Sequence, residues 1–526
     1  VKVRIKKRQA VPRLAHGAVG FGLIVACASF FLPGADAQRA SDFPPDAIKT
    51  KKRPHAPPVG QTGQPSPTGK SPGARACGSD SYPVPDWVYD ARWYYIDVPR
   101  FRNGDQSNDP PGTVDWTAII PGFVERIPRV GGDLVGASAR MPYLARLGVN
   151  AVVLFAWGES ADLSAEKVRE MRAFVSAAHE VGIRVIPAVT LKYASNASYL
   201  RDVLRLVAYG KRPSVDGFMV SYSSDVADFC RKVKAKRADA VIIPVPDAAF
   251  GAGSSPRCVC GFSWQRWSTT VPIWSLVSED DRAAKEADRG ILGVVLASVF
   301  SPFVRVSATA RVLAALRSGK NDARMRATNG PPPLERDYAY ARLATVLKHF
   351  LPGAPITYYG DEVGMYTRSP MWWNDLPDPR TKSPNYRGDF FALVQWLHKV
   401  RAEHKPLRRG GFRLVLHDEE NKVFSFARTL PGDEVILVMN YGDKKRKVML
   451  PIGKPGQMVV ALTPMIDPSR SRLARFTKEK YDHTKIAPLP VGGGRAFVNK
   501  DGKVRVWVDA MSIRVVLVND NEPRRR

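Results

Sequence analysis

The sequence predicts an α/β fold: a TIM-type (β/α)8 barrel followed by a C-terminal antiparallel β-sandwich. Three observations carry that expectation. From Trp87 onward, short β-rich runs alternate with amphipathic helical stretches, the arrangement a parallel barrel requires. After about Leu407 the helical stretches stop and only strand patterns remain, divided by turn residues. The chain has 526 residues, 44% of them hydrophobic, enough to bury a large core plus an accessory domain.

The elements follow in chain order. Residues 1–16 are basic, Ala18 to Leu32 form an apolar run, and Ala35-Asp36-Ala37 has the small-x-small pattern of a signal-peptidase site. The apolar run is too short to span a membrane, so residues 1–37 read as a signal peptide and the chain as secreted or extracytoplasmic. A second reading competes: Ile24-Val25-Ala26-Cys27 resembles a bacterial lipobox, which would make the chain a lipoprotein anchored through Cys27. Residues 38–80 are rich in Pro, Gly, Ser, Thr and Lys and read as a disordered linker, because that composition cannot bury a core.

The barrel is expected over residues 81–406. Its strands are predicted at Trp93–Val98, Ala151–Phe155, Ile183–Val189, Asp216–Ser221, Ala240–Val245, Ser298–Phe303, Arg324–Thr328 and Pro355–Tyr359. Between them lie stretches such as Ala165–Val181, with apolar residues at helical spacing. Residues 407–526 are expected to form the sandwich, with a short basic tail.

Five cysteines in this length exclude a disulfide-framework fold. Cys77, Cys230, Cys258 and Cys260 could form two disulfides after leader removal, with three connectivities open. The net charge of +29 is spread along the chain, which suits a solvated surface or an acidic cell-surface polymer. No nucleic-acid-binding motif is present. Partners are therefore expected to be a carbohydrate, a cell-surface polymer or a protein, and a membrane only if Cys27 is lipidated. Trp264, Trp267 and Trp274 follow the fifth strand and suit loop packing or a sugar platform.

Several stretches together carry a resemblance. DWVYDARWYYIDVPRFRNGDQSNDP, GGDLVGASARMPYLARLGVNAVVL, HEVGIRVI, VDGF and PGAPITYYGDEVGM resemble the barrel landmarks of the α-amylase family of glycoside hydrolases. LHKVRAEHKPLRRGGFRLV and VFSFART resemble the opening of that family's C-terminal domain, so the likeness runs over roughly residues 86–520 in the family's order. The resemblance implies a retaining glycosidase or transglycosylase. Such an enzyme needs a carboxylate nucleophile and an acid/base about 5–5.5 Å apart to flank an oxocarbenium-like transition state.

The family's positions for those groups are occupied differently here. After the fourth strand, Met219, Val220 and Ser221 stand where the family has Arg, an apolar residue and the nucleophilic Asp. Ser221 could attack only as an alkoxide with an adjacent base. Pro244 or Val245 takes the place of the acid Glu, and no Glu occurs between Glu180 and Glu279. The family's Asn-His-Asp after the seventh strand reads Asn329-Gly330-Pro331, and the third strand carries Ala188, Lys192 and Tyr193 at family positions. The loops after the second and third strands are short as well.

These departures lead to the expectation of an α-amylase-like protein without glycosidase activity, with a binding or scaffold role. The alternative is an active glycoside hydrolase or transglycosylase on α-glucans using relocated carboxylates, with Asp225 and Asp247 as candidates. The plainer reading of Asp247 is a loop or helix-capping residue. A third reading is a cell-envelope structural protein. The resemblance also implies a structural Ca2+ site at Asn103, Asp105, Asn108, Asp109, Asp133 and the carbonyl of Gly131, a set of oxygen donors that suits this cation.

Overall fold

The computed structural model describes residues 84–116, 130–158, 163–191, 196–207, 213–221, 226–245, 303–304, 335–365, 370–373, 388–418, 420–464 and 491–519. Barrel strands are β1 (Trp93–Asp97), β2 (Ala151–Gly158), β3 (Arg184–Val189), β4 (Gly217–Ser221), β5 (Val241–Val245), β6 (Phe303–Val304) and β7 (Ala354–Tyr358). They form one sheet in the order β5-β4-β3-β2-β1-β7-β6, and every neighbouring pair is parallel.

Side-chain alternation shows how that sheet curls. Trp93, Tyr95, Ala151, Val153, Ile186, Met219, Val241, Ile243, Ala354 and Ile356 meet in one buried cluster, although they come from strands spread across the sheet. They line one face of adjacent strands, the inward side that fills the interior of a barrel of this kind. Their neighbours Tyr94, Ile96, Val152, Leu154, Val185, Phe218, Val220 and Ile242 point the other way, into a second cluster shared with the helices. A strand buried on both faces reads as a continuous apolar run, which is why these segments were legible. Val88 and Ala91, in and just after the short helix Asp86–Asp90, join the interior cluster.

The helices show the complementary pattern. Ala165–Glu180 buries Met171, Phe174, Val175 and Ala178, which share one helical face, and Ser164 caps it by accepting the Lys167 N–H at 3.2 Å. Asp216, at the entry to β4, accepts hydrogen bonds from His179 (2.8 Å), Arg184 (3.0 Å), Arg237 (2.9 Å) and the Val185 N–H (2.8 Å). Burial works to raise its carboxyl pKa, but these donors outweigh burial and hold it below the ordinary carboxylate range. No helix among the described residues is long and apolar enough to cross a membrane.

The sixth strand was expected at Ser298–Phe303; the structure places a two-residue strand at Phe303–Val304, paired with Ala354–Pro355 of β7. The expected seventh strand, Arg324–Thr328, lies outside the described residues.

The C-terminal domain has β8 (Gly411–Asp418), β9 (Val423–Leu430), β10 (Asp433–Asn440), β11 (Arg446–Pro451), β12 (Met458–Pro464), β13 (Val491–Phe497), β14 (Lys503–Val508) and β15 (Ser512–Asn519). Six form an antiparallel sheet in the order β13-β12-β15-β10-β9-β8, and β11 and β14 form a second, two-stranded layer over it. Two buried arginines join this domain to the barrel. Arg428 on β9 donates to the carbonyls of Gly411, Phe350, Leu351, Leu407 and Gly410, and Arg401 to those of Leu407, Gly353 and Tyr89.

Candidate active site at the barrel mouth

Loops at the C-terminal ends of barrel strands build the active sites of this architecture, so those ends are the place to look. On β1, β2 and β7 they carry aromatic rings. Tyr95 stacks on Tyr358 with ring centroids 4.9 Å apart and planes 18° apart, and on Phe155 at 5.6 Å and 29°. Tyr359 lies 4.9 Å beyond Tyr358, and its N–H donates to the Tyr95 carbonyl at 3.0 Å. Phe155 is 38% exposed, a large apolar ring left open to solvent at the strand end.

The backbone beside Phe155 is unusual. Ala156 has φ 59°, the left-handed region that non-glycine residues rarely adopt, and the β2–β3 register breaks between Leu154 and Gly158. Bulges of this kind re-aim side chains at barrel rims. Sequence reading missed this feature, since nothing in LFAWG marks it. On β1, Asp97 is buried and accepts a hydrogen bond from Arg100. Burial works against the Arg100 charge, but Asp97, Tyr359 and Tyr358 oppose it, and the guanidinium pKa is raised.

The family-pattern positions fall on β4 and β5. Met219 is buried in the barrel interior and pairs with Ala188 of β3. Ser221 ends β4 opposite Val245, and Pro244 sits opposite Val220. Asp225, Asp247, Gly330 and Pro331 lie outside the described residues, as do Lys192, Tyr193, Trp264, Trp267 and Trp274. Of the cysteines only Cys230 is described; it is buried and disulfide-bonded.

The oxygen-rich loop beside β1 is described in full. Asn103 Nδ2 donates to both carboxylate oxygens of Asp109, at 2.9 and 3.0 Å, while Asn103 Oδ1 is buried with no hydrogen-bond partner. Gly131, at φ +73°, closes this corner: an added Cβ there would lie 2.0 Å from Asp109 Oδ1 and 2.3 Å from Asn103 Nδ2. Asp133 caps the helix Leu134–Ser138 through the Gly136 N–H (2.6 Å) and accepts the N–H groups of Gly104 and Asp105. Asp105 accepts the Ser107 N–H and hydroxyl, hydrogen bonds that hold its pKa low, and Asn108 is exposed. The structure thus brings Asn103, Asp109 and Gly131 together, and ties Asp105 and Asp133 to backbone donors. No three carboxylates, imidazoles or thiols among the described residues form a metal cluster, so amide and carbonyl oxygens would have to complete one.

No protein-family model matches the chain. It is 25% identical over 462 residues to neopullulanase 2 of Thermoactinomyces vulgaris, covering 72% of this chain and 74% of that one. To a cyclomaltodextrinase of a Bacillus species it is 23% identical over 444 residues, 69% and 74% of the two chains. Among solved structures, a cyclomaltodextrinase superposes with TM-score 0.58 at 18% identity over 83% of this chain and 79% of that one. An Anoxybacillus α-amylase gives 0.54 at 17%, over 83% and 99%. The solved structures establish the barrel-plus-sandwich fold.

The sequence relatives correct one expectation. An α-amylase-like protein without glycosidase activity does not fit, because the proteins matched along most of the chain carry enzyme names. The physical reason for the error is specific. Ser221 and Pro244 rule out one placement of the carboxylates, and a vacated placement does not by itself remove a reaction.

Proposed function

We infer that the chain is a member of the α-amylase family of glycoside hydrolases, and from that premise we propose that it is an active glycoside hydrolase or transglycosylase on α-glucans. The observation that carries the proposal is the ring stack of Phe155, Tyr95 and Tyr358 at the strand ends. Phe155 is the exposed ring of that stack, backed by Tyr95 and Tyr358, and offers a pyranose ring an apolar platform where such a substrate would meet catalytic groups. The relatives named neopullulanase and cyclomaltodextrinase support an α-glucan as that substrate.

The carboxylates are assigned to Asp225 and Asp247, which follow β4 and β5 by four and two residues in the sequence. These strands carry the nucleophile and the acid/base in the family, so the chemistry keeps its strands and moves along them. Asp97, held by Arg100, is a further carboxylate beside the aromatic platform and is assigned a positioning role. The test is hydrolysis of cyclodextrins, pullulan and starch by the full chain, with Asp225→Asn and Asp247→Asn alongside. Each variant is expected to lose at least about 10²-fold in rate, the lower end of what a positioned acid or base contributes. Full activity in both would remove the assignment.

Two properties belong with this reading. Ca2+ is proposed at the Asn103–Asp109–Gly131 corner, supported by the partnerless Asn103 Oδ1 beside the Asp109 carboxylate. There it would supply structural support and take no part in the chemistry. Export through residues 1–37 is proposed as well, supported by the disulfide at Cys230, since such bonds persist in oxidising compartments. N-terminal sequencing of the chain recovered outside the cytoplasm should start at Gln38; a lipidated Cys27 at the terminus would replace signal-peptide cleavage with lipoprotein anchoring.

A further inference from the structure

The outer face of the two-stranded β11–β14 layer presents six side chains to solvent: Lys447, Met449 and Pro451 on β11, and Lys503, Arg505 and Trp507 on β14. Strand alternation puts them there. Their neighbours Val448, Leu450, Val504, Val506 and Val508 are buried against the six-stranded sheet, so the other half of each strand has no choice but to face water. The antiparallel register sets Lys447 beside Trp507, Met449 beside Arg505 and Pro451 beside Lys503. Trp507 is 48% exposed, and Met449 is 38% exposed. The Lys445 ammonium lies 5.9 Å from the Trp507 ring centroid, and Arg514 donates to the Trp507 carbonyl at 2.8 and 3.1 Å, fixing the strand beneath it.

The charge on this face is unbalanced. Lys447, Lys503 and Arg505 form no ion pair with any described acid, whereas Lys445 is paired with Asp509 at 2.9 Å. The acids nearest in sequence, Asp443, Asp501 and Asp509, lie in the connecting turns, and Asp509, two residues beyond Trp507, is taken up by Lys445. A half-exposed indole among unpaired cations has a large desolvation gain available and a clear preference for a negative partner.

We propose that this face binds an acidic, uronate-bearing polysaccharide. A pyranose ring would lie on the Trp507 indole, and its neighbours' carboxylates would meet Lys447, Lys503 and Arg505. Two features of the face select this partner. It has no amide or hydroxyl side chain among its six residues, so apart from the Trp507 indole N–H its polar groups are all cations, which a carboxylate-bearing chain neutralises and an uncharged glucan does not. It has a single aromatic residue, whereas single-stranded nucleic acids are held by several rings that stack successive bases. The site is separate from the barrel mouth, so the proposal holds or fails independently of the catalytic reading.

The experiment is equilibrium binding of the full chain to polygalacturonate, with amylose and single-stranded oligothymidine as comparisons. Binding to polygalacturonate should exceed binding to either comparison and weaken at least tenfold between about 50 and 500 mM salt, as screened charge contacts do. Trp507→Ala, and separately Lys447→Glu with Arg505→Glu, should each weaken it at least tenfold while leaving the thermal midpoint unchanged. Equal binding by the folded variants would overturn the proposal, as would the absence of polygalacturonate binding at low salt. Tighter binding to oligothymidine, lost in the same variants, would replace the polysaccharide with a nucleic acid and so overturn it too.

Discussion

His349 and His398 sit side by side in the protein interior, with ring centroids 5.3 Å apart. Each Nδ1 is bonded to a backbone carbonyl, that of Thr345 at 2.7 Å and that of Leu147 at 2.9 Å, so each Nδ1 carries the proton. Each Nε2 is buried without a partner. Burial first, then the neighbouring imidazole and the cations Lys348 and Arg401, push His349 well below the ordinary histidine range. Burial, reinforced by Arg92, Lys348 and Arg401, takes His398 to about 3 against the Leu147 hydrogen bond. The unfolded chain therefore binds these protons more readily, and stability is lost as pH falls from about 6.5 towards 3. Glu362 works in the opposite sense: burial raises it to about 7 although Tyr94 and Tyr143 donate to it, so its contribution declines between about 4.5 and 7 as pH rises. Two histidines against one carboxyl leave a net loss on acidification. Urea unfolding at stepped pH should show it, and His398→Leu should reduce the slope by up to about 1.4 kcal/mol per pH unit. An identical slope in the variant would contradict the assignment. Nothing in LHKV or LKHF signals this pair in the sequence, because the two histidines are 49 positions apart and meet only through the packing of two helices.

At the scale of elements, the oxygen-rich loop and the strands were legible to different degrees. Strands β1 to β5 and β7 could be read because each buries both faces and so writes an uninterrupted apolar run. The loop could be read by composition but not by geometry. Six donors stood out, yet Asp133 is also the cap of Leu134–Ser138 and Asp105 closes its own turn on Ser107. A short Asp-rich loop satisfies its own backbone before it satisfies an ion, and sequence cannot apportion those oxygens. If Ca2+ occupies the corner, chelation should lower the melting temperature of the wild type, since a ligand of the folded state alone stabilises that state. Asn103→Ala should lower it similarly and abolish the response to chelator. A melt unchanged by chelator in the wild type would remove the ion from the account.

For the whole molecule, the decisive contacts are those holding the sandwich to the barrel. Arg428 reaches five backbone carbonyls, three of them at Phe350, Leu351 and Leu407, and burial lowers its pKa to about 9. Arg428→Met keeps much of the volume and removes every donor, leaving those carbonyls buried without their partner. A loss of about 3 kcal/mol is expected, from several unmet acceptors at about 1 kcal/mol or more each. Calorimetry would check it, and a loss under about 0.5 kcal/mol would show that the junction rests on apolar packing instead.

Barrel and sandwich were both readable because their periodicities differ: helices recur up to Lys405–Arg409, and antiparallel strands follow from Gly411. The groups proposed for catalysis were not readable in the same way. Their family positions at Met219, Ser221 and Pro244 carry no carboxylate, and loops, unlike strands, impose no periodicity from which a relocated one could be recognised.

The central claim is that this barrel still cleaves or transfers α-glucans. Its most direct test is turnover of β-cyclodextrin and pullulan by the purified full chain, followed by product analysis over hours at about pH 6 to 7. Release of maltooligosaccharides is expected, with loss of that release in Asp247→Asn and Asp225→Asn proteins that melt as the wild type does. No release above a heat-denatured control, from a folded chain on every α-glucan offered, would contradict it.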